Sequence, residues 1–160
     1  MSKELYTLEE VREIHSAAVA DRAKWFALFA KYTPADIFPE IAKKVCYEFG
    51  YAKGEKCLPT KNSTLGMAQF ISSGFAVESF GTKRVMMSDE KSILEWDKCP
   101  LIRGWKELGC TDEQIAQYCD IICNGDYATA DACGIHCEFD ELLAHGESKC
   151  TMVLTTKKNN

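Results

Sequence analysis

Four cysteines stand in a regular pattern between residues 119 and 137. Cys119, Cys123, Cys133 and Cys137 follow the spacing C-x₃-C-x₉-C-x₃-C. Cys119 and Cys123 are four residues apart on a predicted helix and therefore share a face. Thiolates bind zinc or iron, although zinc sites more often use C-x₂-C, in which a tight turn brings both sulfurs to one ion. The pattern leaves three interpretations open: a metal site, paired disulfides, or thiols with separate roles, of which the last is favoured.

A fifth cysteine, Cys99, precedes Pro100 at the predicted start of a helix and follows a predicted strand. At a helix N-terminus the unpaired amides and the helix dipole stabilise a thiolate and lower the pKa of the thiol. Such a thiolate is a nucleophile. The open alternative is a small capping or core residue, because buried free cysteines are common.

Two carboxylate-containing groups add further candidates. Asp126 follows Cys123 by three residues in the sequence CNGD, where a carboxylate can orient water or accept a proton. The alternative is an Asn-Gly turn whose aspartate bonds local backbone. His136, Glu138 and Asp140 alternate along a predicted strand and share one of its faces, so they could bind a metal or supply acid–base groups. The alternative is a solvated strand face.

Capping signals and hydrophobic periodicity position these residues on an α+β fold. Four helices are predicted, opening at the capping box of Thr7 and Glu10, at Thr33-Pro34, at Cys99-Pro100, and at the capping box of Thr111 and Gln114. The fourth helix is predicted to end near residue 123. Strands are predicted over residues 74–80, 83–88 and 91–96, and a final hairpin over 134–143 and 149–157. We therefore expect N-terminal helices packed on an antiparallel sheet of four or five strands, with two helices inserted before the final β-hairpin.

Length, charge and termini limit the classes of protein. The 160 residues favour one domain, taken as residues 1–156, with a disordered tail at 157–160. The net charge of −5 gives no general attraction to nucleic acid or to anionic membranes, so neither is an expected partner. The N-terminus is too polar for a signal peptide, which predicts a cytoplasmic protein with mostly free thiols. The expected partner is a small-molecule substrate, and a homodimer is left open.

Five segments, read in order, carry a resemblance to a known family. They are Arg22–Lys31, Tyr47–Gly54, Trp96–Gly109, Cys123–Ala130 and His145–Leu154. Together they resemble the L-2-amino-thiazoline-4-carboxylic acid hydrolase family, which is related to small ligand-binding domains of the 4-vinyl reductase type. The matching positions are Cys99-Pro100, Leu108-Gly109, Cys123 with Asp126, and Gly146 with Cys150. Cys119, Cys133 and Cys137 do not match, which indicates that the four-cysteine spacing is accidental. The acidic run of residues 138–141 departs from the family pattern, as does Thr151-Met152 after Cys150.

The resemblance implies a hydrolase that acts on a C–N or C–S bond of a small cyclic amidine, such as an aminothiazoline carboxylate. Cys99 would add to the ring carbon between nitrogen and sulfur, or Asp126 would orient a water molecule. We expect Cys99, Cys123 and Asp126 to face one cavity as the catalytic group. Substrate-binding candidates are Arg103, which would hold the carboxylate, and His136, Glu138 and Cys150. No cofactor is expected for this reaction.

The alternative function is a non-catalytic sensor or carrier domain that binds a small molecule or a metal through the same pocket. In that case zinc or iron would be held by Cys119, Cys123, Cys133 and Cys137.

Overall fold

The computed structural model describes residues 6–56 and 61–157. Within these two ranges, six α-helices, one 3-10 turn and four strands follow one another. They are α1 (Leu8–Tyr32), α2 (Phe38–Lys56), α3 (Thr64–Ile71), α4 (Phe75–Phe80), β1 (Thr82–Met87), β2 (Lys91–Trp96), α5 (Pro100–Glu107), α6 (Asp112–Ala132), β3 (Ile135–Glu141), the 3-10 turn (Leu143–His145) and β4 (Cys150–Thr156). None of the helices among the described residues has the length and apolar character to cross a membrane.

The four strands form one antiparallel sheet in the order β1-β2-β4-β3. Apolar side chains alternate along β3, whereas the central strand β4 buries four consecutive residues, Thr151 to Leu154. One face of the sheet is buried under α3 and α6. Leu94, Ile135 and Leu154 are fully buried in this layer. The predicted α+β class, the antiparallel sheet of four strands and the two helices before the final hairpin are confirmed.

Both predicted capping boxes are present and define where the longest helices begin. Thr7 accepts a hydrogen bond from the amide of Glu10, whose side chain bonds back to the amide of Thr7. Thr111 and Gln114 make the same exchange at the start of α6. Each box satisfies amides that have no partner inside the helix, and so fixes the first turn.

Glycines set how closely the helices approach each other. A Cβ at Gly50 of α2 would lie 1.9 Å from the carbonyl oxygen of Gly125 in α6, and one at Gly54 would lie 2.6 Å from that of Thr129. On the other side of the helical layer, a Cβ at Gly104 of α5 would lie 2.3 Å from the carbonyl oxygen of Ala20 in α1. α2 therefore rests directly on α6, and α1 on α5.

Several predicted boundaries were wrong. Residues 75–80 form α4 rather than a strand, because Gly74 and Gly81 take positive φ angles that start and stop one short helix. α2 begins at Phe38, since Thr33 ends α1 instead of opening the next helix. The helix α3, capped by Ser63, was missed.

α6 continues nine residues beyond its predicted end, to Ala132. The Asn-Gly pair predicted as a turn lies inside the helix. The Asn124 side chain donates to the carbonyls of Asp120 and Ile121, and Gly125 provides the contact with α2. Of the predicted tail, residues 158–160 lie outside the described residues.

Candidate functional site

Cys99 is the N-cap of α5, three residues after β2 ends, as the sequence predicted. The backbone amides of Ile102 and Leu101 act to lower the pKa of the thiol, although the sulfur makes no capping hydrogen bond. Burial acts in the opposite direction and is the larger effect, so the pKa rises to about 12. The prediction of a lowered pKa was therefore wrong: desolvation of the sulfur outweighs the helix N-terminus. At neutral pH Cys99 is a protonated thiol.

Three more thiols lie on the side of Cys99 that faces the protein interior, two of them directly beside it. The cluster consists of Cys99 on α5, Cys119 and Cys123 on α6, and Cys150 at the start of β4; we call it the thiol cluster. The thiolate forms of Cys119 and Cys150 would lie close enough to raise the pKa of Cys99 further. Cys119 and Cys150 are in turn neighbours of Cys123. The cluster therefore joins the N-terminus of α5, the middle of α6 and the edge of the sheet.

Within the cluster, Cys119 and Cys123 lie one helical turn apart on α6. The interaction of the two side chains lowers the pKa of Cys119 and raises that of Cys123, so any proton lost from this pair leaves Cys119 first. Burial raises the pKa of Cys150 to about 11, although the amide of Leu143 donates to its sulfur at 3.3 Å and acts to lower it. The four cysteines of the thiol cluster are free thiols.

Asp126 lies on α6 beyond Cys123, between α2 and β3. Burial raises the pKa of its carboxyl group, and the charge of Lys53 partly offsets that effect. Its carboxylate in turn raises the pKa of Cys46 on α2 and of Cys137 on β3. An acid with a raised pKa and thiol neighbours is a candidate proton acceptor.

A cavity of about 320 Å³ opens on the other side of Cys99. It lies between the start of α1, the end of α4 and the start of α5, and we call it the α5 cavity. Its lining residues are Glu9, Arg12, Glu13, Ser16, Glu78, Ser79, Lys98, Cys99, Pro100 and Arg103. Three cations and three carboxylates thus surround one thiol, in a volume that suits a small molecule.

The two arginines of the cavity are held by ion pairs. Arg12 Nη1 lies 2.8 Å from Glu9 and Nη2 lies 2.7 Å from Glu78. Arg103 Nη1 lies 2.9 Å from Glu13. The Nε atom of Arg12 is buried and has no hydrogen-bond partner among the described residues, so its N–H group is an unsatisfied donor in the cavity wall.

A histidine–serine pair adjoins the same cavity. Ser79, which lines the cavity, is 2.8 Å from Nδ1 of His15. Sequence reasoning missed this pair and Arg12, because Ser79 was assigned to a strand and α1 was considered only as a scaffold. The signal available in the sequence was the run of charged residues directly after the first capping box.

The predicted site residues fall into three places. Cys99 and Arg103 line the α5 cavity together. Cys123, Asp126 and Cys150 belong to the thiol cluster and its surroundings, and are not among the cavity's lining residues. His136 and Glu138 are exposed on β3, 3.8 Å apart, on the face opposite to buried Cys137.

The alternative metal site was wrong. Among residues 6–56 and 61–157, no three histidine, cysteine, aspartate or glutamate side chains are arranged to hold a metal ion. Cys133 caps the end of α6 and is buried, with its thiol directed at the carbonyl of Gly54. Cys137 packs in the sheet layer, while Cys119 packs among the helices.

The fold and the site define a small α+β protein in which a cysteine at a helix N-terminus lines a cavity of mixed charge. The family model of the L-2-amino-thiazoline-4-carboxylic acid hydrolases matches residues 11–154. The chain belongs to this family, as its segments indicated, and the family is named for a hydrolase.

Among solved structures, the chain is similar to a trafficking protein particle complex subunit 3 from Naegleria fowleri, which is covalently bound to palmitic acid. The two chains share 15% identity with a TM-score of 0.56, over 91% of this chain and 97% of the other. This likeness concerns the fold alone. The comparison with curated proteins gives no match.

Proposed function

We propose that the chain is a hydrolase that opens a small cyclic amidine bearing a carboxylate, such as an aminothiazoline carboxylate, in the α5 cavity. The observation that carries the proposal is that Cys99 and Arg103 line one cavity, together with charges of both signs. The substrate carries a protonated amidine and a carboxylate. Binding both groups requires negative and positive side chains within a few ångströms of each other in the cavity. A cavity lined only by cations would repel the amidinium group.

The carboxylate of the substrate is assigned to Arg12 and Arg103. Arginine presents several N–H donors in a planar fork that matches a carboxylate, and the Nε of Arg12 is not engaged by the described residues. The amidine then faces Glu13 or Glu78, whose carboxylates already border the cavity. This arrangement turns the electrophilic ring carbon towards the remaining wall, where Cys99 lies.

The protonated state of Cys99 determines how its sulfur reacts. With a pKa of about 12, the thiol must transfer its proton as it attacks. The Sγ–C bond forms at the carbon between the ring nitrogen and the ring sulfur, and the thiol proton passes to the ring nitrogen. Breaking the ring C–S or C–N bond then opens the ring and leaves an adduct on Cys99. Water adds to that carbon and the thiol departs with a proton, giving an N-carbamoyl or an S-carbamoyl product.

We assign proton transfer in this reaction to three residues on the thiol-cluster side of Cys99, namely Cys123, Asp126 and Cys150. Their protonation is coupled to Cys99 through Cys119 and Cys150, and Asp126 is the carboxylate available to accept a proton or orient water. His136 and Glu138 are exposed on the far side of β3, and a contact of these two with the ring would require movement of that edge strand.

The test is turnover of L-2-amino-thiazoline-4-carboxylate by the purified full chain, with products identified by mass spectrometry. Wild type should open the ring, Cys99→Ser should be inactive, and Cys110→Ser should act like wild type, because Cys110 lies beyond the other end of α5. Turnover by Cys99→Ser at the wild-type rate would remove the nucleophile.

A second function, binding without turnover, is favoured by one observation. A thiol with a pKa near 12 is a poor nucleophile at neutral pH, whereas a mixed-charge cavity binds a zwitterion whether or not the thiol reacts. This function is tested by calorimetry. Saturable binding of the thiazoline, without turnover, would support binding as the function. Failure of both binding and turnover would reject both.

A further inference from the structure

The face of α2 beside its contact with α6 exposes large apolar side chains. They recur every fourth residue and form a ridge about 18 Å long. These residues, the outer stripe, are Ile37, Ile41, Val45 and Phe49, and they are between 44% and 67% exposed. Ile37 belongs to the ridge because the amide of Ile41 donates to its carbonyl, so the helical path already begins there. Isolated apolar residues on a surface need no explanation, but a continuous helical ridge of four does.

A second row of exposed apolar side chains lies on the C-terminal half of α1, the helix that precedes α2. Its members, the α1 aromatics, are Trp25, Phe29 and Tyr32, which are 62–79% exposed. The rings of Trp25 and Phe29 are 6.2 Å apart. The row ends at Tyr32, and the outer stripe begins at Ile37, directly after the turn that joins α1 to α2. The turn that joins α1 to α2 therefore lies between the two rows.

The exposed area matches what a stable interface requires. A buried aromatic side chain covers about 150–250 Å², so the exposed parts of the three α1 aromatics and Phe49 amount to roughly 400–700 Å². A standard interface covers about 800 Å² on each partner, of which roughly 450–520 Å² is apolar. An interface that takes both rows would therefore have the apolar area of one standard interface.

Two charges beside the outer stripe can pair with those of a second copy. Glu40, Lys44 and Glu48 follow the stripe at the same four-residue spacing, preceded by Asp36. In an antiparallel pairing with the two-fold axis level with Ala42, Lys44 lies opposite Glu40 of the partner subunit, and this pair occurs twice, while Glu48 lies level with Asp36 of the partner subunit at each end. In that register the stripe residues of the two copies interleave, each entering the space between two of the other, as ridges pack into grooves.

We propose that the outer stripe and the α1 aromatics form a two-fold symmetric interface with a second copy of this chain. The same patch serves both copies, so every favourable contact occurs twice. This face is separate from the lining of the α5 cavity, and the dimer does not depend on the proposed hydrolase activity.

Sedimentation analysis of the full chain over a range of concentrations tests the proposal. Wild type should sediment as a dimer. Val45→Asp should raise the dissociation constant about a hundredfold, because in each copy a carboxylate replaces methyl groups in the apolar space between two stripe residues of the other copy. Val85→Asp is the matched control on the edge strand β1, where the valine is 55% exposed, and it should leave the dimer intact. Circular dichroism confirms that each variant is folded.

Charge-reversal variants test whether the charged row beside the outer stripe lies in the dimer interface. Lys44→Glu makes the charged row wholly acidic, and Glu40→Lys with Glu48→Lys makes it wholly basic; each chain alone should dimerise more weakly than wild type. Mixed together they should form the heterodimer in preference to either homodimer. A monomeric wild type, a dimer unaffected by Val45→Asp, or a monomer that binds phosphatidylcholine–phosphatidylglycerol vesicles through this face would each overturn the proposal.

Discussion

The two sides of Cys99 differ in what they offer a thiol. On the outer side, the α5 cavity presents Arg12, Arg103 and several carboxylates, all within reach of solvent. On the inner side, the thiol cluster presents other sulfurs, of which Cys123 is buried. The cavity can bind and orient a charged small molecule, whereas the cluster determines how firmly Cys99 holds its proton. Position at a helix N-terminus is therefore not sufficient to make a thiolate, because burial on the inner side reverses the effect.

Replacing Cys99, which borders both the α5 cavity and the thiol cluster, should reduce catalytic efficiency more than any other substitution. We expect Cys99→Ser to lower kcat/KM for the thiazoline about 10³-fold, since a hydroxyl with a much higher pKa replaces the attacking thiol. Steady-state kinetics on the folded variant measures this loss. Cys46→Ser, a half-buried thiol on α2 outside the cavity lining, is the control and should retain activity. A loss below about tenfold for Cys99→Ser would place the chemistry elsewhere.

Substitutions of the arginines in the α5 cavity should mainly weaken substrate binding. Arg103→Gln or Arg12→Gln should raise KM roughly 10- to 100-fold with a smaller change in kcat, because a charge-assisted hydrogen bond to the carboxylate is removed. Lys83→Gln, at an exposed ion pair on β1, should leave KM unchanged. Unchanged KM in both arginine variants would show that the carboxylate binds elsewhere.

Substitution of Asp126, near the thiol cluster, should lower kcat, and by less than the loss expected for Cys99→Ser. Asp126→Asn should lower kcat about tenfold, because the amide keeps the shape of the carboxyl group but cannot accept a proton. It also removes a negative charge that raises the pKa of Cys150, so Cys150 should titrate below about 11. Kinetics and the pH dependence of Cys150 alkylation measure the two effects. An increase in KM with unchanged kcat would instead assign Asp126 to binding.

Much of the fold was predictable from the sequence because its signals are local. The capping boxes at Thr7 and Thr111 and the Cys99-Pro100 start depend on residues within one helical turn, and all three helices begin where predicted. The errors arose where tertiary contacts decide. The Asn-Gly pair at 124–125 lies inside the helix where α6 packs on α2, with Gly50 of α2 against the carbonyl of Gly125, and no local signal shows the presence of α2.

The candidate site was predictable only in part for the same reason. Arg103 was placed with Cys99 because both belong to one short helix. Arg12 and Ser79 reach the cavity from α1 and α4, which only the tertiary fold brings together. The pKa of Cys99 was predicted with the wrong sign, because the sequence shows the helix N-terminus but not the depth at which the sulfur is buried.

The measurement that tests the central claim most directly is the rate at which iodoacetamide alkylates Cys99, followed by peptide mass spectrometry with and without the thiazoline carboxylate. Alkylation consumes the thiolate, and raising the pH raises its fraction. With a pKa of about 12, labelling should be slow at neutral pH and should increase about tenfold per pH unit through the alkaline range in which the protein remains folded. The ligand should slow labelling of Cys99 and leave that of Cys110 unchanged. Fast labelling at neutral pH, or labelling of Cys99 that saturating ligand does not slow, would contradict the account of a protonated thiol in the ligand cavity.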